Sequence, residues 1–126
     1  MKKKILSAND YQKLCSRTSG MSDGFDMRMK EIMTWGLGIA GEAGDVAGCI
    51  KKTCSHGSGN EAHIAGIRET LGDTMWYIAA ICNFYKWDLS DIMGENIEKL
   101  AKRYPKGHFT IEHAARGGKR VDWNEK

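Results

Sequence analysis

The chain has 126 residues and a formal net charge of +3, a length that fits one domain and a charge too small to indicate nucleic-acid binding by itself. Its hydrophobic fraction of 41% and charged fraction of 28% are typical of a soluble globular protein, and no apolar run approaches the length that spans a membrane. The four cysteines show neither a CxxC spacing nor a disulfide framework, so they predict reduced thiols and a cytoplasmic location.

Helix signals dominate the chain, and strand signals are scarce. The single proline is Pro105, and β-branched residues nowhere alternate with polar ones over a sustained run. These patterns predict an all-α fold of four helices without a sheet. The helices are predicted from an N-cap at Ser7 through Thr18, from about Phe25 to about Cys54, from about Glu61 to about Tyr85, and from an N-cap at Ser90 to about Arg103. The basic, glycine-broken residues 110–126 are expected to be partly loose.

The second predicted helix combines a glycine stripe with two acids. Each glycine inside a helix costs up to about 1 kcal/mol relative to alanine, so this stripe needs a reason. By helical periodicity Glu42 and Asp45 lie beside the stripe, and a separate aliphatic face is expected to face the core. The stripe consists of Gly38, Gly41, Gly44 and Gly48, and the aliphatic face of Ile39, Val46 and Ile50. The pattern predicts a surface that another backbone or a ligand approaches closely.

The third predicted helix carries a second pair of acids. Glu69 and Asp73 are i,i+4 neighbours, and the apolar face is expected on roughly the other side of the helix. Two antiparallel helices that face each other with these acids would bring four carboxylates together, the oxygen ligands that Mg²⁺ prefers. For either pair alone, a solvated helix face is the alternative interpretation. The predicted apolar face consists of Leu71, Met75, Ile78 and Cys82.

The fourth predicted helix supplies groups of opposite charge. Asn96, Lys99 and Arg103 recur at i, i+3 and i+7, so an amide, an ammonium and a guanidinium share one face. These groups suit phosphate oxygens, and arginine can bind a phosphate with two parallel hydrogen bonds. The alternative is a solvated basic helix end that complements the helix dipole. Lys52 and His56 are further candidates to reach a phosphate, with a surface loop position as the alternative for His56.

Four stretches together resemble the MazG-like all-α nucleoside triphosphate pyrophosphohydrolases, in particular the short single-domain members of bacteria and phages. They are GLGIAGEAGDVAGCIKK, HGSG, RETLGDTMWYIAA and NIEKLAKRYPKGHF, in that order. The resemblance runs from about Asn9 to about Phe109. It implies a MazG-like four-helix bundle in a domain of residues 1–109, followed by a basic tail of residues 110–126.

The resemblance also implies an activity. Members hydrolyse nucleoside or deoxynucleoside triphosphates between the α and β phosphates, which releases a nucleoside monophosphate and pyrophosphate. The expected cofactor is Mg²⁺, with Mn²⁺ as the alternative metal. The family builds homodimers or homotetramers whose subunits share active sites, and neither nucleic acid nor a membrane is expected as a partner.

The family signature is ExxE on one helix and ExxD on the next. Glu42 matches the first acid, Asp45 stands in the place of the second, and Asp73 matches the last, so the resemblance assigns these three as catalytic and metal-binding residues. Thr70 occupies the place of the third acid, and we expect Glu69, one residue earlier, to serve as a metal ligand in its stead. The residues assigned to nucleotide binding are Lys52, Asn96, Lys99, Arg103 and Tyr104.

Other interpretations stay open at this point. The neutral residue at position 70 is consistent with a catalytically degenerate member that binds a nucleotide or a partner. A small nucleic-acid-binding protein that uses the ARGGKR tail is less consistent with the near-neutral charge and the acids on two helices. Trp35, Trp76 and Tyr77 are candidates to contact the nucleobase, although aromatic residues at helical spacing more often belong to a core.

Overall fold

The computed structural model describes residues 6–20, 23–55 and 61–116, which contain helices and no strand. The prediction of an all-α fold is therefore confirmed. The helices are α1 (Ala8–Cys15), α2 (Phe25–Ser55), α3 (Glu61–Tyr85), α4 (Leu89–Arg103) and α5 (Ile111–Arg116). Two compact units divide the chain, Met1–Leu89 and Ser90–Lys126. Within the described residues, no helix is both long and apolar enough to cross a membrane.

The ends of α2 and α3, the start of α1 and the end of α4 lie within one residue of their predicted positions, whereas the end of α1 and the start of α4 differ more. Ser7 caps α1 as predicted, because its side chain accepts a hydrogen bond from the Asp10 amide at 3.1 Å. α1 ends three residues early, where the hydroxyls of Ser16 and Thr18 donate to carbonyl oxygens of the last helical turn. The N-cap prediction for Ser90 is wrong, since α4 begins at Leu89 and contains Ser90.

A short fifth helix lies in the segment that was expected to be partly loose. Thr110 precedes α5, and its hydroxyl oxygen accepts a hydrogen bond from the His113 amide at 3.2 Å. This side chain satisfies one of the amides that a helix start leaves unpaired. The segment expected to be partly loose thus contains a helix at Ile111–Arg116, while residues 117–126 lie outside the described part of the chain.

α2 and α3 form the main packed pair of the first unit and run antiparallel. A Cβ atom added to Gly38 would clash with the ring of Tyr77, so glycine is required where this ring packs against the α2 backbone. Further along the pair, a Cβ added to Gly66 would lie 3.3 Å from the Cys49 sulfur. These two contacts define one antiparallel register along both helices.

The face of α2 that packs inward matches the predicted one only in part: Ile39 and Val46 are half-buried, as predicted for the core side. Trp35 is buried, and Gly38, Glu42 and Cys49 share its side of the helix and are partly buried. Ile50, which was expected to face the core, is 48% exposed. The aliphatic stripe therefore lies at the edge of the α2–α3 contact, and Glu42 lies within that contact.

The predicted core face of α3 is also mostly wrong. Leu71, Met75 and Ile78 are exposed, and of the predicted set only Cys82 is buried. α3 instead directs other faces toward α2 and α1. The buried apolar side chains are Cys15, Trp35, Ala79, Ala80, Cys82 and Leu89.

Gln12 anchors α1 to the end of α3. Its buried side-chain amide donates to the Asn83 side-chain oxygen at 3.0 Å and to the Trp87 carbonyl at 2.7 Å. Its amide oxygen accepts a hydrogen bond from the Leu89 amide at 2.7 Å, at the start of α4. Because each of these polar groups is paired, α1 cannot slide along α3 without leaving a buried group unsatisfied. The position of α1 is thus fixed relative to α3.

Candidate active site

The acids of α2 and α3 meet across the antiparallel pair. The register defined at Gly38 and Gly66 places Glu42 opposite Asp73, and Asp45 opposite Thr70. Both helices carry these residues at i,i+3, so the four positions form the corners of one patch. Three corners are carboxylates, and Thr70 makes the fourth neutral.

The electrostatics of Glu42 reflect the nearby carboxylates. The pKa of Glu42 is raised above its ordinary value, first by partial burial, then by the negative charge of Asp73 and, to a smaller extent, by that of Asp45. Burial and neighbouring negative charges both disfavour the ionised form of a carboxyl group. These charge effects are consistent with the sequence prediction that Glu42, Asp45 and Asp73 lie close together.

Position 70 faces into the helix pair, and position 69 does not. Thr70 is 9% exposed, while Glu69 is an exposed side chain and is absent from the charges that raise the pKa of Glu42. Thr70 also accepts a hydrogen bond at its carbonyl from the Thr74 hydroxyl at 2.9 Å. The role expected for Glu69 as a metal ligand stays a prediction.

The carboxylates of Glu42, Asp45 and Asp73 offer the oxygen donors that a hard cation uses when a substrate supplies its remaining ligands. Among the residues that the structure describes, no three His, Cys, Asp or Glu side chains form a group that could hold a metal ion. Mg²⁺, however, is usually held by one or two carboxylates together with water and substrate phosphates. Glu42 and Asp73, on facing helices, supply oxygen donors of this kind, and Asp45 lies one turn away on α2.

The basic candidates belong to two different parts of the chain. Lys52 is exposed in the last turn of α2, two turns beyond Asp45. His56 lies outside the described residues. The other candidates lie in α4, apart from Tyr104, which directly follows it. Because of their spacing, the candidates within α4 share one face of this helix. Asn96, Lys99 and Arg103 are exposed, and Tyr104 is half-buried.

Tyr104 is held by its own unit. Its amide donates to the Leu100 carbonyl at 2.8 Å, and its ring centre lies 5.9 Å from that of Phe109 and 6.3 Å from that of His113. These contacts connect the end of α4 to α5. The exposed Lys99 and Arg103 side chains leave their charged groups accessible to an anion.

Two of the three aromatic candidates for a nucleobase contact are packing residues. Trp35 is buried and meets Phe84 edge-on at 6.0 Å, and Tyr77 fills the space above Gly38. Trp76 is half-buried, and its indole N–H donates to the Thr18 hydroxyl at 2.7 Å. The interpretation as core residues therefore holds for Trp35 and Tyr77.

The sequence analysis missed the contribution of α1. Tyr11 places its hydroxyl 3.4 Å from the Gly72 carbonyl oxygen, next to Asp73, although the two residues are 61 positions apart. The available signal was the seven-residue spacing of Tyr11 and Thr18, which would put both on one side of a helix. No pattern in α1 indicates what that side contacts.

Comparisons with known proteins identify the family of this chain. Residues 31–108, more than half of the chain, match the MazG nucleotide pyrophosphohydrolase domain. The Gene 37 protein of Mycobacterium phage L5 is 33% identical over 73 residues, which are 56% of this chain and 64% of that protein. The chain thus covers less than two thirds of this relative, and no solved structure gives a significant match. The matched region contains the acidic positions of α2 and α3 and the basic face of α4, and the chain belongs to the MazG nucleotide pyrophosphohydrolase family.

Proposed function

We propose that this protein is a Mg²⁺-dependent nucleoside triphosphate pyrophosphohydrolase, with Mn²⁺ as the alternative metal. It would cleave ribo- or deoxynucleoside triphosphates between the α and β phosphates and release a monophosphate and pyrophosphate. One observation carries the proposal: in a chain of the MazG family, Glu42 lies opposite Asp73, and partial burial together with the negative charge of Asp73 raises the pKa of Glu42. A bound cation would relieve this repulsion.

The residues have separate proposed roles. Glu42, Asp45 and Asp73 would hold the cation, and Glu69 is proposed as a further ligand. When bound, the cation neutralises phosphate oxygens and lowers the pKa of the attacking water. A carboxylate of this group accepts the proton of that water. Lys52, Lys99 and Arg103 would bind the phosphate tail, and Asn96 and Tyr104 would bind other parts of the nucleotide.

The direct test is incubation of the purified protein with a panel of nucleoside and deoxynucleoside triphosphates and Mg²⁺. The expected products are the monophosphate and pyrophosphate in equal amounts, and Asp73→Asn should abolish their release while the circular dichroism of the helices stays unchanged. Asp23→Asn, an exposed acid outside the helices, is the matched control and should retain full activity. Release of orthophosphate and a diphosphate would contradict the proposed cleavage site.

A second candidate function is a catalytically degenerate protein that binds a nucleotide or a partner. The observation in its favour is Thr70, a buried neutral residue at the corner opposite Asp45. If the protein is an enzyme, Glu69→Gln should reduce turnover about as much as Asp73→Asn does, and Thr70→Ala should have little effect. If Glu69→Gln is silent and Thr70→Glu creates activity in an otherwise inactive protein, the degenerate interpretation replaces the enzymatic one.

We also propose that the protein acts as a homodimer or homotetramer in the cytoplasm. α3 packs against α2 and α1, yet a row of apolar side chains at helical spacing stays exposed on it: Ile64, Leu71, Met75 and Ile78. α2 exposes a comparable row, Met29, Met33 and Leu37. A second copy would cover such faces. The four cysteines are free thiols, as expected in a reducing compartment.

A further inference from the structure

α1 and the turn that follows it contact α3 on both sides of Asp73. The Tyr11 hydroxyl lies 3.4 Å from the Gly72 carbonyl oxygen, which belongs to the peptide bond that joins Gly72 to Asp73. One turn further along α3, the Trp76 indole N–H donates to Thr18 at 2.7 Å. The carboxylate of Asp73 therefore projects from a segment of α3 that α1 flanks. No residue of α1 is assigned a role by the family signature.

Tyr11 is held in place, and its hydroxyl contacts both the Gly72 carbonyl and the Cys15 side chain. The neighbouring residue Gln12 fixes α1 through hydrogen bonds of 2.7 to 3.0 Å with Asn83, Trp87 and Leu89. By contrast, the 3.4 Å between the Tyr11 hydroxyl and the Gly72 carbonyl oxygen is much longer than the roughly 2.7–2.8 Å of an ordinary O–H···O hydrogen bond. A donor whose hydrogen bond is this long in the ligand-free site can turn to a stronger acceptor when a ligand binds.

The phenol keeps its proton throughout the physiological pH range. Partial burial, the neighbouring Cys15 thiol and the negative charge of Asp73 raise the pKa of Tyr11 to about 12. A neutral O–H donor therefore lies near the carboxylate of Asp73. A triphosphate needs such donors, because the carboxylates alone repel it.

We propose that Tyr11 donates its phenolic O–H to a phosphate oxygen of the triphosphate bound at Glu42 and Asp73. The inference rests on the proposed function for the identity of the ligand. It adds a substrate-binding residue from α1, outside the acidic and basic motifs. A phosphate oxygen is a stronger acceptor than the Gly72 carbonyl because it is charged.

The test compares Tyr11→Phe, which removes only the hydroxyl, with Tyr85→Phe, a control on α3 whose exposed ring stacks on Trp87. Loss of one hydrogen bond should raise the KM for the triphosphate roughly three- to tenfold, and the same change should appear in the Kd of an analogue with a non-hydrolysable α–β bridge. The Tm and the affinity for the free nucleoside should not change. Tyr85→Phe should behave like the unmodified protein.

Several outcomes would overturn the inference. One is an active Tyr11→Phe variant with unchanged KM and analogue Kd, and another is an equal loss of nucleoside and triphosphate affinity. If the variant loses stability, the unmodified protein labelled with 3-fluorotyrosine decides: the Tyr11 fluorine resonance should shift with the analogue and not with the nucleoside. Failure of the proposed function has a different signature, since the unmodified protein would then release no pyrophosphate, while analogue binding would still report on Tyr11.

Discussion

Glu42 is a residue whose ionised form is unfavourable in the metal-free fold. Partial burial and the charges of Asp73 and Asp45 raise its pKa above the ordinary value of 4.5, so the folded chain binds this proton more tightly than the unfolded chain does. Stability from this group is therefore fully present below the ordinary pKa and is lost as the pH rises through the raised one. The proposed cation would favour the ionised form of Glu42, because its positive charge would offset the charges of Asp73 and Asp45.

The direction of this pKa shift predicts how Glu42→Gln changes the stability of the protein. Without divalent metal at pH 7, the variant should have a higher Tm than the unmodified protein, and the difference should vanish near pH 4, where both carry a neutral side chain. Mg²⁺ should raise the Tm of the unmodified protein and have a smaller effect on the variant, because ligand binding to the folded state stabilises it. Thermal melts at several pH values, with and without Mg²⁺, measure both effects. A metal-free variant that is less stable at pH 7 would contradict the electrostatic argument.

For whole elements, the sequence predicted where helices begin and end better than which way they face. The ends of α2 and α3 follow from local signals, since polar, glycine-containing segments interrupt the helical pattern around residues 20 and 57. The rotation of α2 about its axis does not, because it depends on which surface the neighbouring helix offers. Ile39, Val46 and Ile50 formed the more hydrophobic stripe, yet the helix turns Trp35, Gly38 and Glu42 toward α3.

The acidic site could also be predicted only in part, because the sequence shows how residues are spaced along a helix but not which of them the neighbouring helix covers. Helical spacing and the family signature identified Glu42, Asp45 and Asp73, and the register of α2 with α3 places Glu42 opposite Asp73. Spacing could not decide between Glu69 and Thr70, which are adjacent in sequence and differ in burial only once α3 is packed. Tyr11 could not be predicted at all, because its contact joins helices that are far apart in the chain.

The glycines of α2 allow a matched test of this packing. Gly38→Ala should destabilise the protein by about 1–3 kcal/mol, because its Cβ would overlap the Tyr77 ring in a packed interface. Nothing lies within 4 Å of a Cβ at Gly44, so Gly44→Ala should stabilise the isolated helix pair by up to about 1 kcal/mol through helix propensity. Urea unfolding of both variants measures the difference. Equal effects of the two substitutions would contradict the close contact at Gly38.

For the whole molecule, the side chains left exposed are as informative as those that are buried. Leu71 and Met75 on α3 are each 51% exposed, and Leu37 on α2 is 71% exposed. At 1.5 Å per residue, the apolar row from Ile64 to Ile78 is roughly 21 Å long and the row from Met29 to Leu37 roughly 12 Å. With a width of roughly 10 Å, the two rows cover roughly 330 Å². A specific interface buries about 800 Å² on each partner, so a second copy of the chain would have to cover neighbouring polar surface as well as these rows.

The final prediction concerns this association. Light scattering coupled to size-exclusion chromatography should give a dimer or tetramer for the unmodified protein, and Leu71→Glu should shift it toward the monomer, because a charge cannot be buried unpaired between apolar faces. Lys13→Glu, an exposed position on α1, introduces the same residue and should leave the mass unchanged. Because Leu71 lies between Thr70 and Asp73 on α3, loss of the partner should also lower pyrophosphate release. A monomeric unmodified protein with full activity would show that these faces do not serve self-association.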